Sequence, residues 1–137
     1  MVYSIKKLDY YYTTVRDEPG EAYTILSTLK EVGINLQAFT AIPIGSNSTQ
    51  LAIFPEDNDK FLSESKKAGM TLEGPHKALM VQGDDELGAL ADIHHKLFKA
   101  NVNVYSSSGV TDSKGGYAYL IYVKSADFER ASEALEL

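Results

Sequence analysis

The apolar positions along the chain form two stripes with the same helical spacing. Each stripe has apolar residues at positions i, i+3, i+7 and i+10, which places its members on one face of an α-helix. The members are Ala22, Ile25, Leu29 and Val32 in the first stripe, and Leu90, Ile93, Leu97 and Ala100 in the second. We therefore predict two amphipathic helices that bury these faces against a core.

The two stripes belong to an internal repeat of the chain. An offset of 68 residues, the separation of Gly20 and Gly88, brings the stripes into register without a gap. The same offset aligns identical residues along the repeat: Asp17/Asp85, Glu18/Glu86, Gly20/Gly88, Ile25/Ile93, Leu29/Leu97, Asn35/Asn103, Ile53/Ile121 and Asp59/Asp127. Chance can supply one stripe, but two in register at one offset indicate two copies of one unit.

Segments rich in aromatic and β-branched residues precede and follow these helices and predict strands. In the first copy the strands are Tyr10–Val15, Ile34–Ile42 and Gln50–Phe54, and in the second they are Lys77–Gln82, Val102–Val110 and Tyr117–Val123. The last of these is apolar on both sides, which predicts a central strand. Gly33 and Asn101 end the first helix of each copy, and a second helix begins near Asn58 or Asp59 and near Ser125.

The order of elements in each copy is β-α-β-β-α, and Met70–Glu73 adds a short fourth strand to the first copy. Antiparallel sheets with helices on one face predict an α+β fold of two tandem ferredoxin-like βαββαβ units. The turn-forming Gly74-Pro75-His76 places the boundary between residues 1–73 and 74–137. The second unit lacks its last strand, so one sheet edge is either exposed or completed from elsewhere, with Val2–Leu8 as a candidate.

Composition and charge exclude several classes of protein. The chain has 137 residues, 44% hydrophobic and 23% charged, which is enough apolar material for a globular core. The net charge of −6 argues against a nucleic acid partner, because phosphates require a basic face. No apolar run is long enough to cross a membrane, and no signal peptide is recognised. The absence of cysteine excludes disulfides and thiolate sites and is compatible with the cytoplasmic location that we expect.

The residues shared by the two helix starts suit the chemistry of a free amino acid. The first turn of a helix has unpaired N–H groups and a partial positive charge, so it can bind a carboxylate. Gly20 and Gly88 lie at that turn and let a ligand approach the backbone. Asp17 or Asp85, just before the helix, can accept a hydrogen bond from an ammonium group. A structural interpretation also holds, since acidic residues at a helix start stabilise it by about 0.3–1 kcal/mol each.

Other polar clusters are poor candidates for metal binding or catalysis. His94 and His95 point about 100° apart on a helix, and His76 lies at the predicted boundary, so we predict no metal site. The acidic segment 56–59 has too few spaced oxygen ligands for a calcium loop. No histidine is placed to activate the serines of segment 106–108, and no phosphate-binding loop with lysine occurs. We therefore predict no cofactor and no enzymatic activity.

The first copy resembles the ACT domain family in the loop before its first helix, in that helix, and in the residues that open the second strand. The matching residues are Arg16-Asp17-Glu18-Pro19-Gly20, the helix that follows, and Gly33-Ile34-Asn35-Leu36. The second copy keeps part of this pattern, namely Asp85, Glu86, Gly88 and Asn103. It departs at Leu87, where proline is usual, and at Asn101, where glycine is usual. Together the copies cover nearly the whole chain, which resembles a stand-alone tandem ACT protein.

This resemblance implies a ferredoxin-like fold, side-by-side pairing of sheets, and small-molecule effectors, often amino acids, at the interface between paired domains. It also implies that the two asparagines reach the ligand of a neighbouring domain. The ligand-binding residues predicted on these grounds are Asp17, Glu18, Gly20, Asn35, Asp85, Gly88 and Asn103. If a single copy binds, the first keeps more of the family pattern.

We interpret the chain as a regulatory or sensor protein that binds an amino acid effector. Nothing in the 137 residues provides an output domain, so regulation requires another, unidentified protein. A homodimer is the expected state, because sheet edges favour pairing between chains. Two other interpretations stay open: a structural module that only mediates oligomerisation, and a small enzyme, which is less favoured because no nucleophile–base pair or metal cluster converges.

Overall fold

The computed structural model describes residues 3–136, which form six β-strands, four α-helices and a short 3-10 helix. The strands are β1 (Tyr3–Arg16), β2 (Leu36–Ile44), β3 (Ser48–Pro55), β4 (Glu73–Asp84), β5 (Ser106–Thr111) and β6 (Gly116–Tyr122). The helices are α1 (Glu21–Glu31), α2 (Asn58–Lys67), α3 (Ala89–Lys99) and α4 (Phe128–Glu136), and the 3-10 helix Ser125–Asp127 precedes α4. The predicted α+β class is confirmed.

The chain divides into two compact units, each with two of the four α-helices. The first, which we call the N unit, is Asp9–His76, with the strand order β2-β3-β1-β4. The second, the C unit, combines the chain up to Leu8 with the chain from Lys77 onwards, and its order is β1-β4-β6-β5. The long strands β1 and β4 therefore contribute one part to each unit, and both units have the ferredoxin-like set of elements.

The first part of β1 supplies the strand that the second copy lacks. The Ser4 hydroxyl donates to the carbonyl oxygen of Gln82 in β4 at 3.5 Å. Tyr3 and Ile5 pack against the buried residues of the C unit. The compact units thus differ from the predicted division into residues 1–73 and 74–137, because the start of the chain joins the second copy. Val2, part of the candidate segment, lies outside the described residues.

One continuous strand runs through the predicted boundary. We predicted a strand at Met70–Glu73 and a turn at Gly74-Pro75-His76, and both predictions are wrong, because β4 extends unbroken from Glu73 to Asp84. Since β6 pairs with the Leu79–Asp84 part of β4, the first residues of β4 form a sheet edge, where proline is tolerated. Gly74 has a φ of 138°, and a Cβ there would lie 2.9 Å from the Tyr10 carbonyl oxygen.

The predicted helical stripes supply the centre of each core. Leu29 is 2% exposed in the N unit, while Ile93 and Leu97 are 0% and 1% exposed in the C unit. Leu90 departs furthest from the prediction, because it is 40% exposed and Ala89 is buried in its place. The other members of the stripes are half-buried, namely Ala22, Ile25, Val32 and Ala100. The central position predicted for β6 is confirmed, since it lies between β4 and β5.

The two copies also end their first helices with the same hydrogen bonds. Gly33 has a φ of 77° and Asn101 a φ of 59°, as predicted for residues that follow a helix. The N–H of Ile34 donates to the Leu29 carbonyl at 2.9 Å, and the N–H of Val102 donates to the Leu97 carbonyl at 2.9 Å. The repeat therefore extends to matching backbone geometry. The strand after the second of these helices begins at Ser106, later than predicted.

Candidate functional site

The start of α3 presents backbone N–H groups that no side chain caps. Gly88 is the N-cap residue, and its φ of 82° lies in the left-handed region that favours glycine. The N–H of Asp92 donates to the Gly88 carbonyl at 3.1 Å, so the N–H groups of Leu90 and Ala91 precede the first intrahelical bond. Nothing lies within 4 Å of the position that a Cβ of Gly88 would take. The helix start is therefore open to a small molecule.

A cavity of about 290 Å³ lies beside this helix start, within the C unit. The loop contributes Asp85, Glu86 and Gly88, the helix contributes residues 89–91, and the edge strand β5 contributes residues 109–111. The lining contains two carboxylates and no lysine, arginine or histidine. A cationic group is therefore favoured near the loop, while the uncapped N–H groups favour an anionic group at the helix start.

The acidic loops of both units are held by equivalent backbone hydrogen bonds. The N–H of Asp85 donates to the carbonyl of Gly115, and the N–H of Asp17 donates to the carbonyl of Asn47, both at 2.8 Å. Each bond ties the loop to the turn between the two strands that follow the first helix. The repeat thus positions both predicted aspartates in the same way.

The helix start of the N unit has the same backbone geometry but different charges. Gly20 is the N-cap residue of α1, with a φ of 88° and no side-chain cap. Arg16 pairs with Glu21 at 3.1 Å and with Glu18 at 3.6 Å. The equivalent positions of Arg16 and Glu21 in the C unit are the acidic Asp84 and the small Ala89. The loop of the N unit therefore carries its own counter-charge, and the loop of the C unit does not have one at this position.

Asn35 and Asn103 follow the C-terminal ends of α1 and α3, whereas Gly20 and Gly88 lie at the N-terminal ends of these helices. Each of these helices has 11 residues, so about 16 Å along the axis separates its two ends. The side-chain Nδ2 of Asn35 donates to Glu56 Oε2 at 2.7 Å. The backbone carbonyl of Asn35 accepts a hydrogen bond from the Glu56 backbone N–H at 2.9 Å. Asn103 is exposed ahead of β5. Neither asparagine is therefore brought to the helix start of its own unit.

Tyr119 of β6 links α3 to β5, the helix and the strand whose other residues line the cavity. Its hydroxyl donates to Ser107 Oγ of β5 at 2.8 Å and lies 2.6 Å from Nε2 of His94 on α3. Its ring packs closely under Gly109, where a Cβ would lie 3.0 Å from the ring atom Cδ1. Sequence reasoning missed this residue, because the alternation of β6 indicates only a core position.

Tyr117 of β6 also lines the cavity, and sequence reasoning missed it for the same reason. The residue is 8% exposed, and its hydroxyl has no hydrogen-bond partner among the residues that the structure describes. Burial raises the pKa of the Tyr117 hydroxyl, with smaller contributions from Tyr3 and the negative charge of Glu86. The hydroxyl therefore stays protonated at neutral pH.

No helix among residues 3–136 is long and apolar enough to cross a membrane. No group of three or more histidine, cysteine, aspartate or glutamate side chains in the same range is arranged to hold a metal ion.

No protein-family model matches the sequence, and no curated protein sequence matches it either. Solved structures do match. Protein BT0572 from Bacteroides thetaiotaomicron is 15% identical with a TM-score of 0.82, over 96% of this chain and 88% of that chain. The regulatory subunit of aspartate kinase from Thermus thermophilus, in a ligand-free form, is 16% identical with a TM-score of 0.65, over 98% and 94% of the chains.

A third match is a protein from Porphyromonas gingivalis that is provisionally assigned as a C-terminal regulatory domain of aspartate kinase. It is 14% identical with a TM-score of 0.54, over 98% of this chain and 95% of that chain. The chain shares the fold of these proteins. At such low identities the likeness concerns the fold alone, so function has to be argued from the site.

Proposed function

We propose that the chain is a regulatory protein that binds a free amino acid in the cavity at the start of α3. The observation that carries the proposal is that uncapped helix N–H groups, two carboxylates and a cavity of about 290 Å³ lie in one place. Ligand pockets commonly hold about 300–1,000 Å³, so this volume suits a molecule as small as an amino acid.

The proposed pose uses both charged ends of the ligand. The α-carboxylate meets the N–H groups of Leu90 and Ala91, where the helix dipole favours negative charge. The ammonium group meets Asp85 and Glu86, whose carboxylates accept charge-assisted hydrogen bonds. Gly88 leaves the approach to the backbone open, because no side chain projects there.

We also propose that the helix start of the N unit is a second, weaker site, formed by Asp17, Glu18 and Gly20. The shared loop and N-cap geometry supports this assignment. Arg16 weakens it, because the pairing of Arg16 with Glu18 reduces the negative charge that an ammonium group would meet. The site in the C unit, which has Asp84 at the position of Arg16, is therefore the one that we expect to be occupied first.

A regulatory role is supported by the fold shared with regulatory subunits and domains of aspartate kinase. We propose the same kind of role here, exerted through another protein chain. Ligand binding then changes what the chain presents to that protein, because the cavity includes the exposed edge strand β5.

A thermal-shift screen against the twenty amino acids tests the proposal. We expect at least one amino acid to raise the melting temperature, since a ligand at 100 times its dissociation constant adds about 2.7 kcal/mol to the free energy of unfolding. The matched controls are the N-acetyl derivative and the decarboxylated amine of the active compound. Each lacks one of the two charged ends, so neither should stabilise the protein to the same degree.

An unchanged melting temperature with all twenty amino acids at millimolar concentration would contradict the proposed ligand class. Equal stabilisation by the amino acid and by both derivatives would show that the charged ends are not recognised, and would remove the proposed pose.

We propose that two copies of the chain pair through the edge strand β5. All six residues of β5 are exposed, and the strand contains neither charge nor proline, which are the usual protections of a sheet edge. Val110 within the strand is 68% exposed, and the exposed Leu90 of α3 lies beside Gly109 of the strand. We propose a register for two antiparallel β5 strands in which Asn103 of the second copy, three residues ahead of Ser106, lies opposite Thr111 at the cavity. This arrangement gives Asn103 its predicted role at the ligand of a neighbouring copy.

Light scattering on two matched variants tests this assembly. Val110→Lys adds a charge to the β5 edge of each copy and should convert a dimer into a monomer, because a charged side chain on an edge strand opposes pairing with another strand. Ile42→Lys is the control, since Ile42 occupies the equivalent position in β2 and is 53% exposed against 68% for Val110. A parent chain that stays monomeric across a wide concentration range would refute the dimer.

A further inference from the structure

A hydrogen-bonded network of three side chains, which we call the clamp, ties α3 to β5 next to the cavity. The Tyr119 hydroxyl donates to Ser107 Oγ at 2.8 Å and lies 2.6 Å from His94 Nε2. His94 is one helical turn beyond the cavity residue Leu90, about 6 Å along α3. Ser107 is two residues before the cavity residue Gly109, about 7 Å along β5. The clamp residues themselves lie outside the cavity lining.

The N unit has apolar side chains at the positions of the clamp. The offset of 68 residues aligns His94, Ser107 and Tyr119 with three apolar residues, namely Leu26, Phe39 and Leu51. The fold therefore accepts apolar residues at all three positions. The polar clamp is particular to the unit that contains the candidate site.

The residue opposite Tyr119 in the sheet is matched to the tyrosine ring. Tyr119 pairs with Gly109 of β5, where a Cβ would lie 3.0 Å from the ring atom Cδ1. At the equivalent pair of the N unit, Ala41 lies opposite Leu51. The glycine thus leaves the room that the ring of Tyr119 occupies between the two strands and α3.

Stability alone does not account for polar residues at these positions. A hydrogen bond within a protein replaces one with water, and exchanging both partners for apolar groups of the same shape can be nearly neutral. Hydrogen bonds add a defined distance and direction, because they weaken steeply when their geometry is distorted. Two bonds to the one hydroxyl of Tyr119 therefore fix the separation of α3 and β5.

We propose that the Tyr119 hydroxyl is a positioning group for the cavity, which holds β5 at the separation from α3 that the bound amino acid requires. The inference rests on the proposed function, which places the ligand in the cavity that these two elements line. A site whose walls are already fixed loses less conformational freedom on binding, so it binds its ligand more tightly. Removing the hydroxyl therefore weakens binding, although the ligand does not contact it.

Hydrogen exchange without ligand tests the structural part of the inference. In Tyr119→Phe the backbone amides of β5 should exchange roughly three- to tenfold faster, because the strand loses a hydrogen bond that opposes its local opening. The amides of β2, the equivalent edge strand of the N unit, should be unchanged. The control Tyr105→Phe removes the same atom from a side chain that is 58% exposed just ahead of β5, and should leave both strands unchanged. Unchanged exchange of β5 in Tyr119→Phe would overturn the inference, whether or not a ligand is found.

Calorimetric titration, at a temperature at which every variant is fully folded, tests the effect on binding. The dissociation constant of Tyr119→Phe for the screened amino acid should be roughly three- to tenfold higher than that of the parent. His94→Leu, which installs the residue of the N unit, should have a similar effect. His94→Gln should have a smaller one, because its amide can still hydrogen-bond the Tyr119 hydroxyl.

A role of the clamp in stability alone predicts lower melting temperatures together with parent-like affinity. Parent-like affinity in Tyr119→Phe would therefore overturn the inference and leave the proposed function standing. If none of the twenty amino acids binds the parent, the proposed function fails and this inference fails with it.

Discussion

Replacing Leu97 with alanine is expected to lower the free energy of unfolding by about 2–5 kcal/mol. Leu97 is 1% exposed and belongs to the core cluster of the C unit, where α3 and α4 pack against β4 and β6. Truncation removes buried methyl groups and leaves a cavity that a packed core fills only in part. The equivalent change in the N unit, Leu29→Ala, should cost a similar amount, because Leu29 is 2% exposed.

Urea denaturation followed by circular dichroism measures both changes. The control is Leu87→Ala, since Leu87 is fully exposed in the loop before α3, and its removal should change stability by less than about 0.5 kcal/mol. A loss in Leu97→Ala no larger than that of the control would contradict the packing of α3 against the sheet.

The repeat and the helices could be predicted because their signals are local. Leu29 and Leu97 were assigned to cores from spacing alone, and Gly33 and Asn101 were assigned to helix ends from the conformations that these residues tolerate. Each of these signals depends on a few neighbouring residues, and the structure shows the burial and the backbone conformations that they predict.

The sharing of strands between units could not be predicted, because it depends on pairing between distant segments. Ser4 contacts Gln82 across a separation of 78 residues, and nothing in the pattern near either residue indicates the other. Gly74-Pro75 is typical of a turn, and only its position at a sheet edge makes it compatible with a strand. The local preference of these residues for a turn is therefore overridden by the pairing of β4 in the sheet.

The candidate site was predictable only in its loop and helix start. The repeat pointed to Asp85 and Gly88, but the opposite wall of the cavity is β5, which is distant in sequence. Leu90 was expected in the core by its helical spacing. It lies instead at the first turn beside the edge strand, where it is left 40% exposed and lines the cavity. Tyr117 follows a core pattern, so the missing partner of its hydroxyl is visible only in three dimensions.

Asp85→Ala is expected to weaken ligand binding by roughly ten- to a hundredfold. A hydrogen bond between charged groups contributes about 1.5–3 kcal/mol, and the proposed ammonium position at Asp85 loses that bond on truncation. The stability of the protein should change by no more than about 1 kcal/mol, because an exposed carboxylate at a helix start contributes mainly through the helix dipole. A purely structural role for Asp85 predicts the same small change in stability but unchanged ligand binding.

The central claim, that the start of α3 binds an amino acid, is tested most directly by calorimetric titration of the screened ligand into the parent, Asp85→Ala and Asp17→Ala. Asp17 is the equivalent carboxylate of the N unit, and its loop is held by the same backbone hydrogen bond. We expect the tight binding event of the parent to weaken by roughly ten- to a hundredfold in Asp85→Ala and to stay close to the parent value in Asp17→Ala. Parent-like affinity in Asp85→Ala would contradict the account.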